Sequence, residues 1–229
     1  MICVVIPTLN AQAGLAATLT SLVPAAVDGI VRQVIVVDGG SCDRSVRIAE
    51  QAGAEIIRTT PGRGAQLALG AKQAKFPWLL FLHADTVLEA GWESEAIAFI
   101  ERMETGDRPE AAAAFRFALD DLGIRPRLLE SIVALRCAVL RLPYGDQGVL
   151  ISRRLYDRLG GYSPMPLMED VDLMRRLRRD QIFILRSQAL TSAVRYRRDG
   201  YAWRSLRNLL CLTLYYARVP TRILERLYG

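Results

Sequence analysis

Three short apolar runs recur in the first 82 residues, and each ends at a proline or a polar residue. They are Ile2–Ile6, Val34–Val37 and Trp78–Leu82, and Ala54–Ile57 is a further strand-like segment that contains one charged residue, Glu55. Continuous apolar runs of this length are typical of strands that are buried on both faces, as in a parallel sheet covered by helices. This pattern restricts the fold more than any other feature of the chain and predicts the α/β class.

Helical spacing of apolar residues separates the four predicted strands. It predicts helices over Leu15–Val23, Asp43–Ala52 and Gly62–Lys75. Strands that alternate with helices of this length indicate βαβ units, so we expect a three-layer αβα architecture around a mostly parallel, Rossmann-like sheet. Ligands bind beyond the carboxyl ends of the strands in such sheets.

The pattern is looser after about residue 105. We predict strands over Ala112–Leu119 and Val149–Ser152, and amphipathic helices over Leu128–Leu142 and Leu173–Arg179. No low-complexity or linker-like segment separates the two halves. We therefore expect residues 1–229 to form a single domain.

The formal net charge of +6 lies entirely in the last 35 residues. Residues 195–229 carry eight arginines against Asp199 and Glu225, whereas residues 1–194 are balanced, with 22 basic and 22 acidic residues. A neutral body without nucleic-acid motifs argues against a nucleic-acid partner. The basic, amphipathic tail instead favours contact with a diphosphate or with an anionic membrane.

Cysteine usage and hydropathy predict the compartment. Cys3, Cys42, Cys137 and Cys211 are widely spaced and form no C-x-x-C pair, which fits small buried side chains in a reducing cytosol. No uncharged apolar run reaches about 18 residues, and Met1 leads directly into a strand-like run. We expect a cytoplasmic protein that is neither secreted nor membrane-spanning, located at the inner face of the membrane if the tail binds there.

Several motifs occur in a characteristic order along the chain. They are Pro7-Thr8-Leu9-Asn10, Asp38-Gly39-Gly40-Ser41, His83-Ala84-Asp85, Gly145-Asp146-Gln147-Gly148, Gly160-Gly161-Tyr162 and Glu169-Asp170-Val171-Asp172. This series resembles the family 2 glycosyltransferases of the GT-A fold, and most closely the small bacterial subgroup named for its association with radical-SAM and selenium-domain genes. The resemblance covers nearly the whole chain. It implies a nucleotide-binding half (1–105), an acceptor-binding half (106–194) and C-terminal amphipathic helices in the basic tail.

The resemblance implies that the strand ends hold a nucleotide sugar. The Asp38 carboxylate would contact the base or ribose, Gly39 would let the backbone approach the ligand, and Pro7, Thr8 and Asn10 would line the same pocket. The alternative for Asp38 is that it only caps the following turn.

Arginine and a divalent cation are the expected partners of the diphosphate. Arg63 begins a helix between two glycines and offers a guanidinium together with free backbone N–H groups, although a solvated helix start explains it equally well. The family match places a cation, Mn²⁺ or Mg²⁺, on Asp85, with His83 as a second ligand and Ala84 beside the nucleotide sugar. His83 is the only histidine, and imidazole favours Mn²⁺.

Carboxylates in the second half are candidates for the chemical step. By resemblance, Asp170 is the base that deprotonates the acceptor, Glu169 orients the acceptor and Asp172 supports the helix. Helix capping is the alternative for this acidic group. Asp146 and Gln147 are expected to hydrogen-bond sugar hydroxyls, and a plain turn is the alternative for their loop.

The tail has three interpretations. Arg198 or Arg204 closes over the donor diphosphate, as the resemblance implies; residues 201–229 contact a membrane; or the helix packs on the domain or on a second subunit as a homodimer. Packing is slightly favoured over membrane contact.

Taken together, the motifs and the resemblance predict an inverting, metal-dependent enzyme that transfers a sugar from a nucleotide sugar, with a UDP-sugar as the favoured donor. The acceptor is an unidentified hydroxyl or carboxyl compound, and a lipid-linked acceptor is one option. The rival enzyme class is a sugar-phosphate nucleotidyltransferase, which has a related sheet but a Gly-rich loop where this chain has Pro7-Thr8-Leu9-Asn10. A third class, a nucleotide-sugar-binding protein without catalysis, is kept open by Ala11 and Ala68, where relatives carry Glu and Asn.

Overall fold

The computed structural model describes residues 1–106 and 110–228, except for the side chain of Glu225. Within these residues, eight strands form one mixed sheet in the order β3-β2-β1-β4-β7-β6-β8-β5. The strands are β1 Ile2–Thr8, β2 Val31–Asp38, β3 Glu55–Arg58, β4 Trp78–Phe81, β5 Thr86–Leu88, β6 Ala112–Leu119, β7 Val149–Ser152 and β8 Ile182–Thr191.

Eleven α-helices accompany these strands in the described part of the chain. They are α1 Leu15–Thr20, α2 Val23–Val27, α3 Ser45–Gln51, α4 Arg63–Gln73, α5 Trp92–Thr105, α6 Ile124–Leu140, α7 Arg153–Arg158, α8 Glu169–Arg175, α9 Val194–Asp199, α10 Tyr201–Tyr216 and α11 Thr221–Tyr228. The predicted helix Leu15–Val23 is two short helices, because Pro24 lies in the first turn of α2 and cannot continue a helix from α1.

The first half of the sheet is parallel, as the apolar runs predict. β1 lies between β2 and β4, and β3 pairs with the outer side of β2. Every residue of β1 is buried because helices cover both faces of the sheet. The α/β class is thereby confirmed.

The second half reverses direction without leaving the sheet. β7 runs antiparallel to β4 and to β6, whereas β8 is parallel to β6 and antiparallel to β5. Four of the seven strand pairings are therefore parallel, which fits the expected mostly parallel sheet. The pairing of β4 with β7 joins the two halves directly.

Alternate residues of β1 contact different helical layers. Cys3 and Val5 belong to a core cluster with α4, α7, α8 and α10, whereas Ile2, Val4 and Ile6 pack with α1, α2 and α5. Successive strand side chains point to opposite faces, so the two clusters are the two sides of a three-layer domain. This is the expected αβα arrangement.

The basic tail folds into α9, α10 and α11 and packs partly on the domain. Cys211 and Leu224 are fully buried in the cluster that contains α4 and α8. Cys3 and Cys137 are also buried, but Cys42 is exposed, so the expectation of four buried cysteines is wrong at that position. Across residues 1–106 and 110–228, no helix is both long and apolar enough to cross a bilayer.

Candidate active site

Asp38 ends β2 and presents its two carboxylate oxygens to different surroundings. Oδ2 accepts hydrogen bonds from the N–H groups of Gly40 and Ser41, at 3.0 Å each. Oδ1 is buried and has no hydrogen-bond partner among the described residues. The carboxylate therefore caps the turn with one oxygen and leaves the other without a donor, and Asp38 is not among the residues that line the cleft described below.

The loop after β1 lies beside this carboxylate. Pro7 and Thr8 are buried, and Thr8 lies opposite Asp38 in the β1–β2 register. The Asn10 N–H donates to Ser41 Oγ at 2.8 Å, and its Oδ1 accepts from the Cys42 N–H at 2.9 Å. Asn10 thus joins the two loops through its backbone N–H and its side-chain oxygen.

Gln66 supports this region and was not identified from the sequence. Its buried Nε2 donates to the carbonyl oxygens of Thr8, at 3.0 Å, and Val37, at 2.7 Å. A Cβ placed on Gly39 would lie 3.2 Å from this nitrogen and from Pro61 Cα, so the glycine permits close packing. A single glutamine in a predicted helix belongs to no motif, so these hydrogen bonds could not be predicted from the sequence.

A cleft with a volume of about 100 Å³ lies beyond the strand ends. Six of the predicted site residues line it: Arg63, His83, Asp85, Asp146, Asp170 and Arg204. Its wall also includes Tyr144, Arg195, Tyr196, Asn208 and Tyr228, which the sequence analysis did not select. Residues that are far apart in the sequence therefore meet in one cleft lined by charged and polar side chains.

Asp170 is held rigidly at the cleft wall by backbone donors. Its Oδ2 accepts from the Gly145 N–H at 2.6 Å, and its Oδ1 accepts from the Val171 N–H at 2.8 Å. A Cβ on Gly145 would lie 3.2 Å from Asp170 Oδ2 and 2.8 Å from His83 Nε2. Because Gly145 has no side chain, the Asp170 carboxylate and the His83 imidazole can both pack against it.

Glu169 lies behind the cleft and does not line it. The carboxylate is fully buried and forms an ion pair with the Arg63 guanidinium, whose side chain is 30% exposed. Burial raises the pKa of Glu169, and the Arg63 charge opposes that rise. The Glu169 and Asp170 carboxylates together raise the pKa of Arg63 despite its burial.

The acidic group begins a helix and does not precede one. The predicted helix Leu173–Arg179 instead runs from Glu169 to Arg175, which places all three carboxylates in its first turn, where the helix dipole favours them. Asp172 Oδ2 accepts from Ser163 Oγ at 2.7 Å and from Arg176 Nη2 at 2.8 Å. The three carboxylates therefore do lie at the start of a helix, as the alternative interpretation predicted, and Asp170 also lines the cleft.

His83 and Asp85 follow β4 and face the cleft together. Burial and the Arg63 charge lower the pKa of His83 to about 4, so its imidazole is neutral at pH 7 and has a free ring nitrogen. No cluster of three His, Cys, Asp or Glu side chains suited to a metal occurs in the described residues. A pair fits a cation such as Mn²⁺ or Mg²⁺ that takes its other ligands from phosphate and water.

Asp146 is the third carboxylate of the cleft. Its Oδ1 is buried and has no partner within the described residues. Burial, together with the Asp170 and Asp85 carboxylates, raises its pKa to about 6 against the opposing charge of Arg136. A carboxylate oxygen left without a donor beside two other carboxylates fits a site that receives sugar hydroxyls or a cation.

Gln147 does not face the cleft, which corrects the expectation of a sugar contact. The residue is buried; its Nε2 donates to the Phe115 carbonyl at 2.9 Å, and its Oε1 accepts from Arg136 Nη2 at 3.1 Å. Because both ends of the amide are used inside the protein, Gln147 fixes the loop that carries Asp146. The motif identified the right loop but the wrong side chain for ligand contact.

Ala84 and Arg198 also lie outside the cleft lining. Ala84 is buried, and its carbonyl accepts from Thr18 Oγ1 at 3.0 Å. Arg198 points to solvent and pairs with Asp199, whereas Arg204 is buried, also pairs with Asp199 at 2.9 Å, and lines the cleft. Of the two tail arginines, the fold therefore brings Arg204 to the site.

The mixed sheet covered by helices on both faces matches the GT-A fold, which the solved structures described below share. Residues 3–110 match the family model described as Glycosyl transferase family 2. This match covers slightly less than half of the chain. No curated protein sequence matches the chain.

Solved structures share the fold at low sequence identity. Glucosyl-3-phosphoglycerate synthase from Mycobacterium tuberculosis, in complex with Mn²⁺, UDP and phosphoglyceric acid, is 23% identical, with a TM-score of 0.58 over 80% of this chain and 67% of that chain. The same enzyme with Mg²⁺ and UDP is also 23% identical, with a TM-score of 0.58 over 84% of this chain and 69% of that chain. TarS residues 1–349 from S. aureus are 15% identical, with a TM-score of 0.65 over 99% of this chain and 69% of that chain.

Proposed function

We propose that the protein transfers a sugar from a nucleoside diphosphate sugar, with UDP as the nucleotide, to a hydroxyl or carboxyl acceptor. The observation that carries this proposal is the meeting of Asp85 and Asp170 in one cleft at the strand ends. An aspartate that holds a cation on the diphosphate and one that serves the acceptor must lie on either side of the transferred sugar. The UDP complexes of the similar mycobacterial structure support the nucleotide.

Asp85, with His83 beside it, would hold the divalent cation. Aspartate oxygen suits both Mn²⁺ and Mg²⁺, and neutral imidazole adds a ligand that Mn²⁺ accepts more readily. When bound, the cation supplies positive charge that stabilises the departing diphosphate. Arg63 and Arg204 lie in the same cleft and would neutralise phosphate oxygens directly.

Asp170 is the base in this proposal, and the transfer inverts the anomeric carbon. The acceptor oxygen forms a bond to that carbon, the bond to the diphosphate oxygen breaks, and a hydroxyl acceptor gives its proton to Asp170. The two backbone donors on Asp170 fix its direction, which suits in-line attack. With a carboxyl acceptor, Asp170 would only orient the nucleophile.

The remaining predicted residues receive supporting roles. Asp38, with Pro7, Thr8, Asn10 and Gly39, would form the base and ribose pocket, since Asp38 Oδ1 is available there. Asp146 would hold hydroxyls of the donor sugar. Glu169 is a positioning residue, because it reaches the cleft only through Arg63.

The motif order and the basic C-terminal tail support proposals about the subgroup, the localisation and the acceptor. We assign the chain to the radical-SAM and selenium-domain-associated subgroup on its motif order. We further propose a cytoplasmic protein that touches the inner face of the membrane through residues 201–229 and takes a lipid-linked acceptor. A homodimer through the same helices is the competing arrangement.

A calorimetric and thermal-shift screen of nucleotide sugars, with and without Mn²⁺, tests the proposed donor. Ligands that bind the native state raise its melting temperature by mass action. UDP and one UDP-sugar should stabilise the protein, and Mn²⁺ should increase that shift in the wild type but not in Asp85→Asn. Equal stabilisation of the two proteins by Mn²⁺ with UDP would remove Asp85 from the site.

A further inference from the structure

Helix α6 presents an apolar stripe to solvent. Large apolar side chains recur along it at spacings of three and four residues, which places them on one face. They are Ile124, Leu128, Ile132, Leu135 and Val139. The opposite face packs on the domain through Val133 and Cys137. A helix that is apolar on both faces is normally covered on both.

The tail adds a second exposed apolar set next to α6. Trp203, Leu206, Leu209 and Leu210 of α10 are about half exposed or more, and α10 contacts α6. Scattered single apolar residues are ordinary on a protein surface, but two neighbouring helices with repeated exposed leucines mark an interaction site. We call the exposed apolar residues of α6 and α10 together the apolar platform.

Arginines lie at the edge of this platform. The Tyr201 hydroxyl donates to Asp121 Oδ2 at 2.5 Å, and Arg197 Nη1 lies 3.5 Å from Asp121 Oδ1. These contacts bring α9 and its arginines next to Leu122 and Ile124, which are 92% and 87% exposed. The most exposed apolar residues therefore lie beside α9, where Arg197 is paired with Asp121, in the tail that carries the whole excess of positive charge.

From this juxtaposition we propose that the apolar platform docks on an anionic lipid bilayer, lying in the interface plane with the basic α9 at the headgroups. The inference deepens and rests on the proposed membrane contact of the tail, and it adds α6 as half of the docking surface. Amphipathic helices with arginines beside an apolar face bind membranes in this way.

Charge decides between a bilayer and a second copy of the chain. A second copy seated on the platform would bring its own excess of positive charge in residues 195–229 to the same interface. Like charges at an interface oppose association, whereas anionic headgroups attract the same arginines. The excess of positive charge in residues 195–229 therefore favours lipid as the occupant.

The cleft and the platform share helix α10. Asn208 and Arg204 line the cleft, while Leu206 and Leu210 of the same helix are exposed. Docking would consequently bring the cleft close to the bilayer surface. An acceptor anchored by a lipid could then reach Asp170 without leaving the membrane.

Vesicle flotation of the full chain tests the proposal. The probes are neutral phosphatidylcholine vesicles and vesicles with about 30% phosphatidylglycerol, and the variants are Ile124→Ser/Leu128→Ser/Ile132→Ser on α6 and Val23→Ser/Val27→Ser as a matched control on α2, whose valines are also exposed. We expect binding to the anionic vesicles, a loss of about tenfold or more in the α6 variant and no loss in the control. Equal binding by the α6 variant and the wild type would overturn the proposal.

Trp203 supplies a measurement that needs no α6 variant. It is 64% exposed, whereas Trp78 and Trp92 are buried. Anionic vesicles should shift the tryptophan emission to the blue, and brominated lipids should quench it, with both effects lost in Trp203→Phe. An unchanged emission, or a dimer in solution that the α6 variant dissociates and that does not bind vesicles, would assign the platform to another occupant.

The same samples separate this proposal from the enzymatic one. UDP binding is measured by calorimetry without vesicles, and vesicle binding is measured without nucleotide. Docking with no UDP binding would support the platform and contradict sugar transfer from UDP. UDP binding with no docking would overturn the platform alone.

Discussion

The Arg63 guanidinium and the Glu169 carboxylate form an ion pair that joins the first turn of α4 to the first turn of α8. The two helices come from opposite halves of the chain. Arg63 lines the cleft, while Glu169 is fully buried behind it. The pair therefore couples the position of a phosphate-binding candidate to the helix that carries Asp170.

Removing either partner of this ion pair should lower the free energy of unfolding, and the two single substitutions should do so by different amounts. Arg63→Met leaves a buried carboxylate without its partner, whereas Glu169→Gln leaves a guanidinium that is partly exposed, so the arginine variant should lose more free energy of unfolding. We expect losses of about 3 kcal/mol and about 1–2 kcal/mol in urea denaturation. The double variant should lose less than the sum, and strict additivity would contradict a direct pair.

Asp38→Asn should separate nucleotide binding from folding. The asparagine oxygen can keep the hydrogen bonds from Gly40 and Ser41, while an NH₂ group replaces the unpartnered Oδ1 acceptor. We expect UDP affinity to fall about tenfold, which corresponds to about 1.4 kcal/mol, with little change in melting temperature. A stability loss with intact affinity would mean that Asp38 only caps the turn.

Stability should depend on pH through Asp146. The folded protein raises the pKa of this carboxyl to about 6, from an ordinary value of about 4, so it holds the proton more tightly than the unfolded chain does. Stability contributed by the protonated form is complete below pH 4 and is lost as the pH rises through 6. Asp146→Asn should therefore gain roughly 2 kcal/mol relative to the wild type between pH 4 and pH 8.

Chemical denaturation of the metal-free protein at several pH values measures this effect. Asp157→Asn, at an exposed position outside the cleft, is the control for the loss of one carboxylate. A difference between Asp146→Asn and the wild type that does not change with pH would contradict the raised pKa of the buried carboxyl.

Asp170→Asn should abolish transfer while sparing the donor site. The amide keeps a carbonyl oxygen for the Gly145 N–H but cannot accept a proton at neutral pH. We expect kcat to fall by about 10²–10⁴ while calorimetric affinity for UDP with Mn²⁺ stays within about threefold. A comparable fall in affinity would assign Asp170 to the donor and not to the acceptor.

The parallel half of the fold was predictable because three of its four strands contain continuous apolar runs that alternate with helices. β1 to β4 and α4 follow from hydrophobic periodicity alone, and Asp85 and Asp170 follow from the motif order. β5 and β8 were not predicted, since β5 has only three residues and β8 mixes polar with apolar side chains.

The motifs do not predict whether a given side chain points into the cleft or into the protein interior. Gln147 lies in the predicted loop, but its side chain points into the protein. Gln66 hydrogen-bonds the ends of two strands, and no sequence motif predicts this contact. Glu169 and Asp170 are adjacent in the sequence yet differ in role, because successive helix residues face different sides. Tertiary contacts decide such cases, and Tyr228 reaches the cleft only because α11 packs against α10.

Product analysis of a nucleotide sugar tests the central claim most directly. The wild type, incubated with Mn²⁺ and the UDP-sugar that gives the largest thermal shift, should release UDP, and Asp85→Asn should not. Release of pyrophosphate from UTP and a sugar phosphate, or metal-dependent UDP binding with no UDP release in the presence of a range of acceptors, would contradict a sugar-transferring enzyme.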